Sequence, residues 1–379
     1  MIVVGAWICS HDPTLKQILP AGDADLSLMI GILLGDDVGH EVVPECVKVM
    51  RAAASRTGLA IDWQTLPIGK HGHEEHGNTL PAMTEAALKN LDGWIMGPIG
   101  HAAYPRNDPT WVMPPVRKKF ELFAAIRPSR SHPSVHSIQK DVDIVFVREL
   151  SEGLLYSETV VAGAPEFRPN DDITIAMRVI TRNGSRRVAR EAFEIARTRK
   201  RKKVTAAHKE PVYRLACGMF AEECRKIARD YPDVTFEEAM IDTISMKLVM
   251  APQQYDVVVT SNQFGDILTD IGAGLVGGLG LAPGLCVGER QAMAQATHGS
   301  APDIAGRNIA NPYAMIMSGQ MLLAWLGRKR GESKATAAAS HIQAAVDKIV
   351  AEAKHLTTDL GGGASTKEMG DAIAASVLQ

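Results

Sequence analysis

Short apolar blocks recur along this chain, separated by segments in which apolar residues return every three to four positions. The blocks at residues 29–34, 61–66, 94–96, 143–147, 173–179 and 256–260 are β-rich in composition, which predicts strands. Between and after them, residues 42–54, 186–197, 213–228, 342–353 and 367–377 show helical patterns. Strands alternating with helices make an α/β chain. No internal repeat and no long low-complexity linker interrupts the alternation, so composition marks no domain boundary.

One junction in this pattern carries chemistry. The apolar block ending at Thr260 runs into Asn262-Gln263-Phe264-Gly265-Asp266-Ile267-Leu268-Thr269-Asp270. If the chain leaves a strand there and enters a helix, Asp266 and Asp270 share one helix face and point at a common site. Two convergent carboxylates suit a hard divalent cation such as Mg²⁺ or Mn²⁺, which takes oxygen ligands and leaves room for a substrate. On spacing alone, such a pair is more often a solvated helix face. A second segment gives it company: His298-Gly299-Ser300-Ala301-Pro302-Asp303-Ile304-Ala305-Gly306, followed by Asn311-Pro312. Small residues and prolines make a tight loop that a ligand can approach closely, and an acid within it can accept hydrogen bonds from ribose hydroxyls.

Composition narrows the classes of function. A chain of 379 residues with 46% hydrophobic content can bury a large core and is long enough for two domains or one large one. Lys plus Arg (41) nearly balance Asp plus Glu (43), leaving a formal charge of −2 and no global field for nucleic acid or an anionic membrane. The basic run at 197–203 reads as the solvated end of a helix, where cations suit the helix dipole. Five cysteines, odd in number and without a Cys-x-x-Cys pair, point to reduced thiols and a cytoplasmic protein. No apolar segment approaches the length of a membrane span, and the first residues lack the basic flank of a secretory signal. The glycine-rich stretch 272–280 follows the 266–270 helix rather than a strand, so it reads as a close backbone crossing, not a phosphate loop. His71, His73 and His76 have metal-friendly chemistry without the i, i+4 histidine pair of a zinc helix, and read as a surface loop.

The two segments together resemble the β-decarboxylating dehydrogenase family, which includes the isocitrate, 3-isopropylmalate, homoisocitrate, malate and tartrate enzymes. The resemblance runs from about Ile30 to at least Leu323. It takes in Gly35-Asp36-Asp37-Val38-Gly39-His40-Glu41-Val42, Gly97-Pro98-Ile99-Gly100, Ile126-Arg127-Pro128 and Arg148-Glu149. It implies an isopropylmalate/isocitrate dehydrogenase-like two-domain α/β fold with the active site in the interdomain cleft. Residues 28–122 and 277–379 would form a discontinuous cofactor-binding domain, and 123–276 a dimerisation and substrate domain. Residues 1–27 fall outside the resemblance as an N-terminal extension.

The chemistry that the resemblance implies is oxidative decarboxylation of a 2-hydroxy acid, most simply 3-isopropylmalate, with NAD and Mg²⁺ or Mn²⁺. Such a reaction needs a base for the hydroxyl proton, a hydride acceptor, a cation to polarise the developing ketone and an acid for the enol. Arg117, Arg127 and Arg148 match the positions that clamp the malate portion of the substrate, and guanidinium groups grip carboxylates bidentately. Asp242, Asp266 and Asp270 match the metal carboxylates, and Lys209 the catalytic lysine; Asp242 and Lys209 would reach the site from the other subunit of a homodimer. Tyr156, one residue late in an ungapped reading, is the candidate acid. Met113, in the segment 107–115, would meet the substrate side chain. His298, Gly299, Ser300, Ala301, Asp303 and Asn311 would hold the cofactor, and the acid at 303 favours NAD over NADP.

The chain also departs from the family pattern. Asp37 and His40 stand where relatives usually carry Gly and Pro, Pro211 where an Asn is common, and Gln295 replaces the usual Glu upstream of His298; these bear on cofactor geometry. The segment 107–115 lacks the Glu and paired Leu of isopropylmalate enzymes and is closer to malate and tartrate relatives, which keeps a D-malate or tartrate enzyme open. Rival readings from other classes are a metal-dependent hydrolase using the three histidines and a nucleotide-binding homologue that has lost catalysis.

Overall fold

The structure, a computed structural model, describes residues 27–100, 104–105, 115–154 and 166–379. It is the mixed α/β architecture that the pattern predicts, built on one ten-stranded sheet and a separate two-stranded hairpin. In chain order the elements are β1 (Leu28–Leu33), α1 (Gly39–Thr57), β2 (Ile61–Thr65), α2 (Gly69–His76), α3 (Ala82–Leu88), β3 (Gly93–Met96), α4 (Val116–Lys119), β4 (Ala124–Arg130) and β5 (Asp143–Glu149). The hairpin β6 (Glu166–Asn170) and β7 (Ile173–Ala176) follows, then α5 (Arg182–Thr198), β8 (Lys203–His208), α6 (Ala216–Ala228), β9 (Thr235–Met240) and α7 (Ile241–Met250). The chain continues with β10 (Val257–Thr260), α8 (Asn262–Val276), β11 (Leu285–Val287), β12 (Ala292–Ala294), α9 (Tyr313–Arg330), α10 (Ser333–Glu352) and α11 (Thr366–Leu378). Among the described residues no helix is long and apolar enough to cross a membrane, and Cys46, Cys217, Cys224 and Cys286 are free and buried.

The strand order is β2-β1-β3-β12-β11-β4-β5-β10-β8-β9. Four parallel strands at each side are joined through the antiparallel pairs β12–β11, β11–β4 and β4–β5, so the two parallel sets run in opposite senses. The first set comes from near both ends of the chain, the second from its middle. Because side chains alternate across a strand, each strand feeds both faces. On the back face, Ile30, Ile126, Val145, Val147, Val257 and Leu285 join one continuous core with α1, α5, α9, α10 and α11. The front-face core is split in two. Trp94, Met96, Ala125, Cys286 and Met293 pack with Leu88 of α3 and Val116 of α4, whereas Ile144, Phe146 and Val258 pack with α7 and α8.

Several sequence expectations change here. The histidine stretch is not a loop: it forms α2, where His71 and Glu75 pair at 3.4 Å one turn apart on an exposed face. The basic run is more than a solvated helix end. Arg199 leaves α5 to pair with Asp256 at 2.5 Å, because that buried carboxylate at the head of β10 needs a counter-charge. Strands β4, β6, β8, β9, β11 and β12 went unread. So did α9, which is buried nearly all round and so shows no stripe. Helix α6 starts at Ala216 rather than 213, and β7 ends at Ala176.

The glycine-rich stretch does make a close crossing. A Cβ on Gly272 would lie 2.6 Å from Phe146 Cε2 and 2.7 Å from Ser129 Oγ, so α8 lies directly on β4 and β5 only because that position has no side chain. Gly272→Ala is expected to lower stability by about 1–3 kcal/mol through overpacking, read as a urea midpoint at fixed protein concentration. An unchanged midpoint would mean that α8 has slack against the sheet.

Candidate active site

The gap between the two front-face cores is lined by arginines. In the β4–β5 pair Arg127 stands opposite Phe146, and Arg148 opposite Ala125, so both guanidinium groups rise from the front face on neighbouring strands. Helix α8 begins just beyond Thr260, which pairs with Arg148 in the β10–β5 ladder, and its first turn therefore starts beside that arginine. Asn262 Oδ1 accepts from Arg148 Nε at 3.1 Å and Nη2 at 2.7 Å, Asp266 takes Nη1, and the Asn262 amide donates onward to the Glu152 carbonyl at 2.9 Å. Room for this comes from Gly265, where a Cβ would lie 2.5 Å from Arg148 Cγ. Arg127 donates to Thr269 Oγ1 at 2.7 Å and lies 3.8 Å from Asp266. Arg117 of α4 donates to Gln295 Oε1 at 2.8 Å.

Asp266 and Asp270 do lie on successive turns of one helix, as the spacing predicts. Burial pushes the Asp270 carboxyl up; the Arg127 charge opposes this and the Asp266 charge adds to it. Burial also lowers Arg127, with the Arg117 charge adding, and brings Arg148 down to about 10, with Arg127 adding and Asp266 opposing. Crowded like charges of both signs make a site that binding anions and a cation together would relieve. The paired carboxylates are hard oxygen donors of the kind Mg²⁺ or Mn²⁺ takes, so the residues fit such an ion, with one chain offering two of the three expected ligands.

A cavity of about 420 Å³ joins this cluster to the 298–306 loop, with Arg117, Arg127, Cys286, Gln295, His298 and Gly299 in its wall. His298 Nδ1 lies 2.9 Å from the Gly299 carbonyl oxygen, and burial holds the ring below the ordinary imidazole range, with Nε2 enclosed and lacking a partner among the described residues. Gly299 is open, Ser300 is buried with its carbonyl accepting from Val38 N–H at 3.1 Å, Ala301 has φ 43°, and Asp303 is exposed. These features fit a ligand lying along the loop. Asn311 is different: its amide donates to Asp359 at 2.9 Å and accepts from Tyr313 N–H, so it holds the start of α9. Asp37, in left-handed backbone at φ 50°, pairs with Lys70 at 2.7 Å. A larger cavity, about 780 Å³, lies on the back face between α5 and α9. Its floor is Ile126, Val145 and Leu285, and none of the predicted site residues lines it.

Lys209 and Asp242 stand together and apart from this cluster. Lys209 Nζ lies 2.5 Å from Asp242 Oδ1, which holds that carboxyl below its usual range, and no hydrogen bond or ion pair links either residue to the arginines or to Asp266. Tyr156 and Met113 lie outside the described residues. Sequence reasoning missed Asn262 and Thr269, although both lie in the segment that drew attention to Asp266. Among the described residues the one grouping of three metal-type side chains is His208, Glu210 and Glu238, and Arg225 already bridges its two carboxylates at 2.5 and 3.0 Å. Among the described residues no such grouping involves His71, His73 and His76.

The isocitrate/isopropylmalate dehydrogenase family model matches residues 29–373. The chain belongs to that family. Isocitrate/isopropylmalate dehydrogenases are oxidative decarboxylating dehydrogenases acting on CH–OH donors, and this chain is an oxidoreductase of that class. It is 38% identical over 345 residues to a 3-isopropylmalate dehydrogenase of Archaeoglobus fulgidus, spanning 91% of this chain and 98% of the relative. An isocitrate/homoisocitrate dehydrogenase of Thermus thermophilus is 37% identical over 355 residues, covering 92% and 98%. The crystal structure of isocitrate dehydrogenase from Methylococcus capsulatus superimposes with a TM-score of 0.81 at 36% identity, covering 93% of this chain and 100% of that one.

In this member of the family Asn262 is the residue that orients Arg148. Truncating it leaves a buried guanidinium without its two-pronged acceptor, so Asn262→Ala is expected to cut kcat/KM by roughly 10–100-fold, the equivalent of a lost hydrogen bond to a charged group. A variant with wild-type kinetics would show that Asp266 alone orients Arg148.

Proposed function

We propose that the chain oxidises and decarboxylates a 2-hydroxy acid whose neighbouring carbon carries a carboxylate, most simply 3-isopropylmalate, using NAD and Mg²⁺ or Mn²⁺. The observation that carries this reading is the cluster of Arg117, Arg127 and Arg148 beside two helix-borne carboxylates, with Arg117 and Arg127 in the wall of the cavity that reaches the 298–306 loop. The guanidinium groups grip the two carboxylates of a malate core and fix its orientation. Asp266 and Asp270 hold the metal ion, which when bound polarises the oxygen that becomes the ketone. The loop from His298 to Asp303 holds NAD, which when bound accepts the hydride, and the acid at 303 disfavours the 2′-phosphate of NADP. Lys209 Nζ takes the hydroxyl proton, and Tyr156 returns a proton to the enol carbon.

The same reading divides the chain into a cofactor domain of residues 28–122 and 277–379 and a dimerisation domain of 123–276. It also makes the working unit a homodimer with shared sites. Lys209 and Asp242 border apolar surface that a single chain leaves open: Leu215 is 88% exposed, and Val212, Met246, Val249, Met250 and Ile267 are all exposed. Met246, Val249 and Met250 lie on α7, whose buried residues are Ile244 and Leu248. Phe167, Ile173 and Ile175 of the β6–β7 hairpin add a further exposed apolar patch. Burying this surface against a second copy would bring Lys209 and Asp242 to that copy's Asp266.

Lys209→Ala and Asp266→Asn are each expected to be nearly inactive in NADH formation. Mixed and allowed to exchange subunits, they gather both defects into one site of each heterodimer and leave the other intact. Activity should then recover to about a quarter of wild type if subunits assort randomly into closed dimers. No recovery despite demonstrated exchange would place Lys209 and Asp266 in the same subunit's site.

A further inference from the structure

Gln295 follows β12 directly, and its main chain is pinned by donation from its N–H to the Gly284 carbonyl at 3.0 Å. Its side chain uses both ends of the amide. Oε1 accepts from Arg117 Nη2 at 2.8 Å, and Nε2 reaches back to the Gly97 carbonyl oxygen at 3.4 Å, just beyond β3. That pairing of roles defines which end is which, because only the nitrogen can donate to a carbonyl. Sequence reasoning attached Gln295 to cofactor geometry; the structure sets it against a substrate arginine.

We propose that Gln295 is a positioning residue that anchors Arg117 without adding negative charge to the cleft, and so keeps that guanidinium effective toward a substrate carboxylate. The proposal rests on Arg117 being a substrate clamp. A glutamate could accept from Arg117 equally well, but its charge would offset part of the field that the arginine presents to an incoming anion. It would also turn a carboxylate oxygen toward the Gly97 carbonyl, where nothing could donate. The Arg117 charge is felt beyond its own side chain, since it adds to the burial that lowers Arg127. Gln295 thus acts on the whole trio through Arg117, favouring a substrate with at least two carboxylates, and does so without touching the substrate itself.

Full-length wild type, Gln295→Glu and Gln295→Leu are compared in two ways. The first is steady-state turnover of whichever of 3-isopropylmalate, D-malate, tartrate, isocitrate and homoisocitrate the wild type uses best. The second is calorimetric binding of D-malate without cofactor. The glutamate variant nearly preserves shape and adds charge; the leucine variant removes both hydrogen bonds and adds none. Gln295→Glu should raise KM for the acid about tenfold or more, as expected for a unit charge a few ångströms from a carboxylate in a partly buried cleft. It should leave KM for NAD within about twofold and the urea midpoint unchanged. Gln295→Leu should raise the acid KM by less than the glutamate variant.

If wild type turns over an acid and the glutamate variant matches it, or fares no worse than leucine, the charge argument falls while the dehydrogenase reading stands. If no acid is turned over but D-malate binds wild type and binds Gln295→Glu at least tenfold more weakly, the positioning role stands and the reading of the reaction falls. If D-malate binds neither protein and no acid turns over, both fall.

Discussion

The bidentate seat of Arg148 on the first turn of α8 is the interaction on which the rest of the site depends. The guanidinium of an arginine only 3% exposed, beside a second arginine, is stable only where fixed acceptors replace its lost water. Asn262 and Asp266 supply them, and both belong to the turn that starts where β10 ends. The start of α8 therefore fixes the direction of the helix, presents Asp266 with Asp270 one turn further on, and fixes one wall of the cleft. Glycine at 265 and at 272 lets the helix come close enough for this, at the ordinary conformational cost of glycine inside a helix.

The sheet explains why a cleft exists where it does. Strands β4 and β11 join two parallel sets of opposite sense, and on the front face the helices packed on those sets leave a gap between them. Ala125, Arg127 and Cys286 look into that gap, while Ile126 looks into the larger cavity on the back and Leu285 borders both. The two cavities thus stand back to back across the same strands. The back cavity carries its own arginines and glutamates, among them Arg186, Arg190, Glu191 and Glu194, but only the front one reaches the small-residue loop at His298 and Gly299 and holds Arg127, which lies beside Asp266 of α8.

Much of this was legible in the sequence, for reasons that can be traced. The block at 256–260 reads as a strand because β10 is buried on both faces, and an abrupt change of period after it announces α8; Asp266 and Asp270 share a face as a direct consequence. The three arginines were found through family resemblance, since a lone arginine carries no signal of its own. What stayed hidden follows from tertiary contact. Strand β4 carries Arg127, Pro128 and Arg130, which obscure its alternation, and β11 and β12 are three residues each. Helix α9 is buried nearly all round and has no stripe to read, and the partners of Asn262 and Gln295 lie more than a hundred residues away along the chain.

The central claim is that this cleft gathers an acid's carboxylates, a divalent cation and a nicotinamide cofactor for coupled oxidation and decarboxylation. The most direct measurement follows NADH formation and carbon dioxide release together, for 3-isopropylmalate, D-malate, tartrate, isocitrate and homoisocitrate, with NAD or NADP, and with Mg²⁺, Mn²⁺ or EDTA. The account predicts that at least one acid yields NADH and carbon dioxide in equal amounts, with NAD preferred and both products lost in EDTA. Release of NADH without carbon dioxide, undiminished turnover in EDTA, or no turnover of any acid with either cofactor would contradict it.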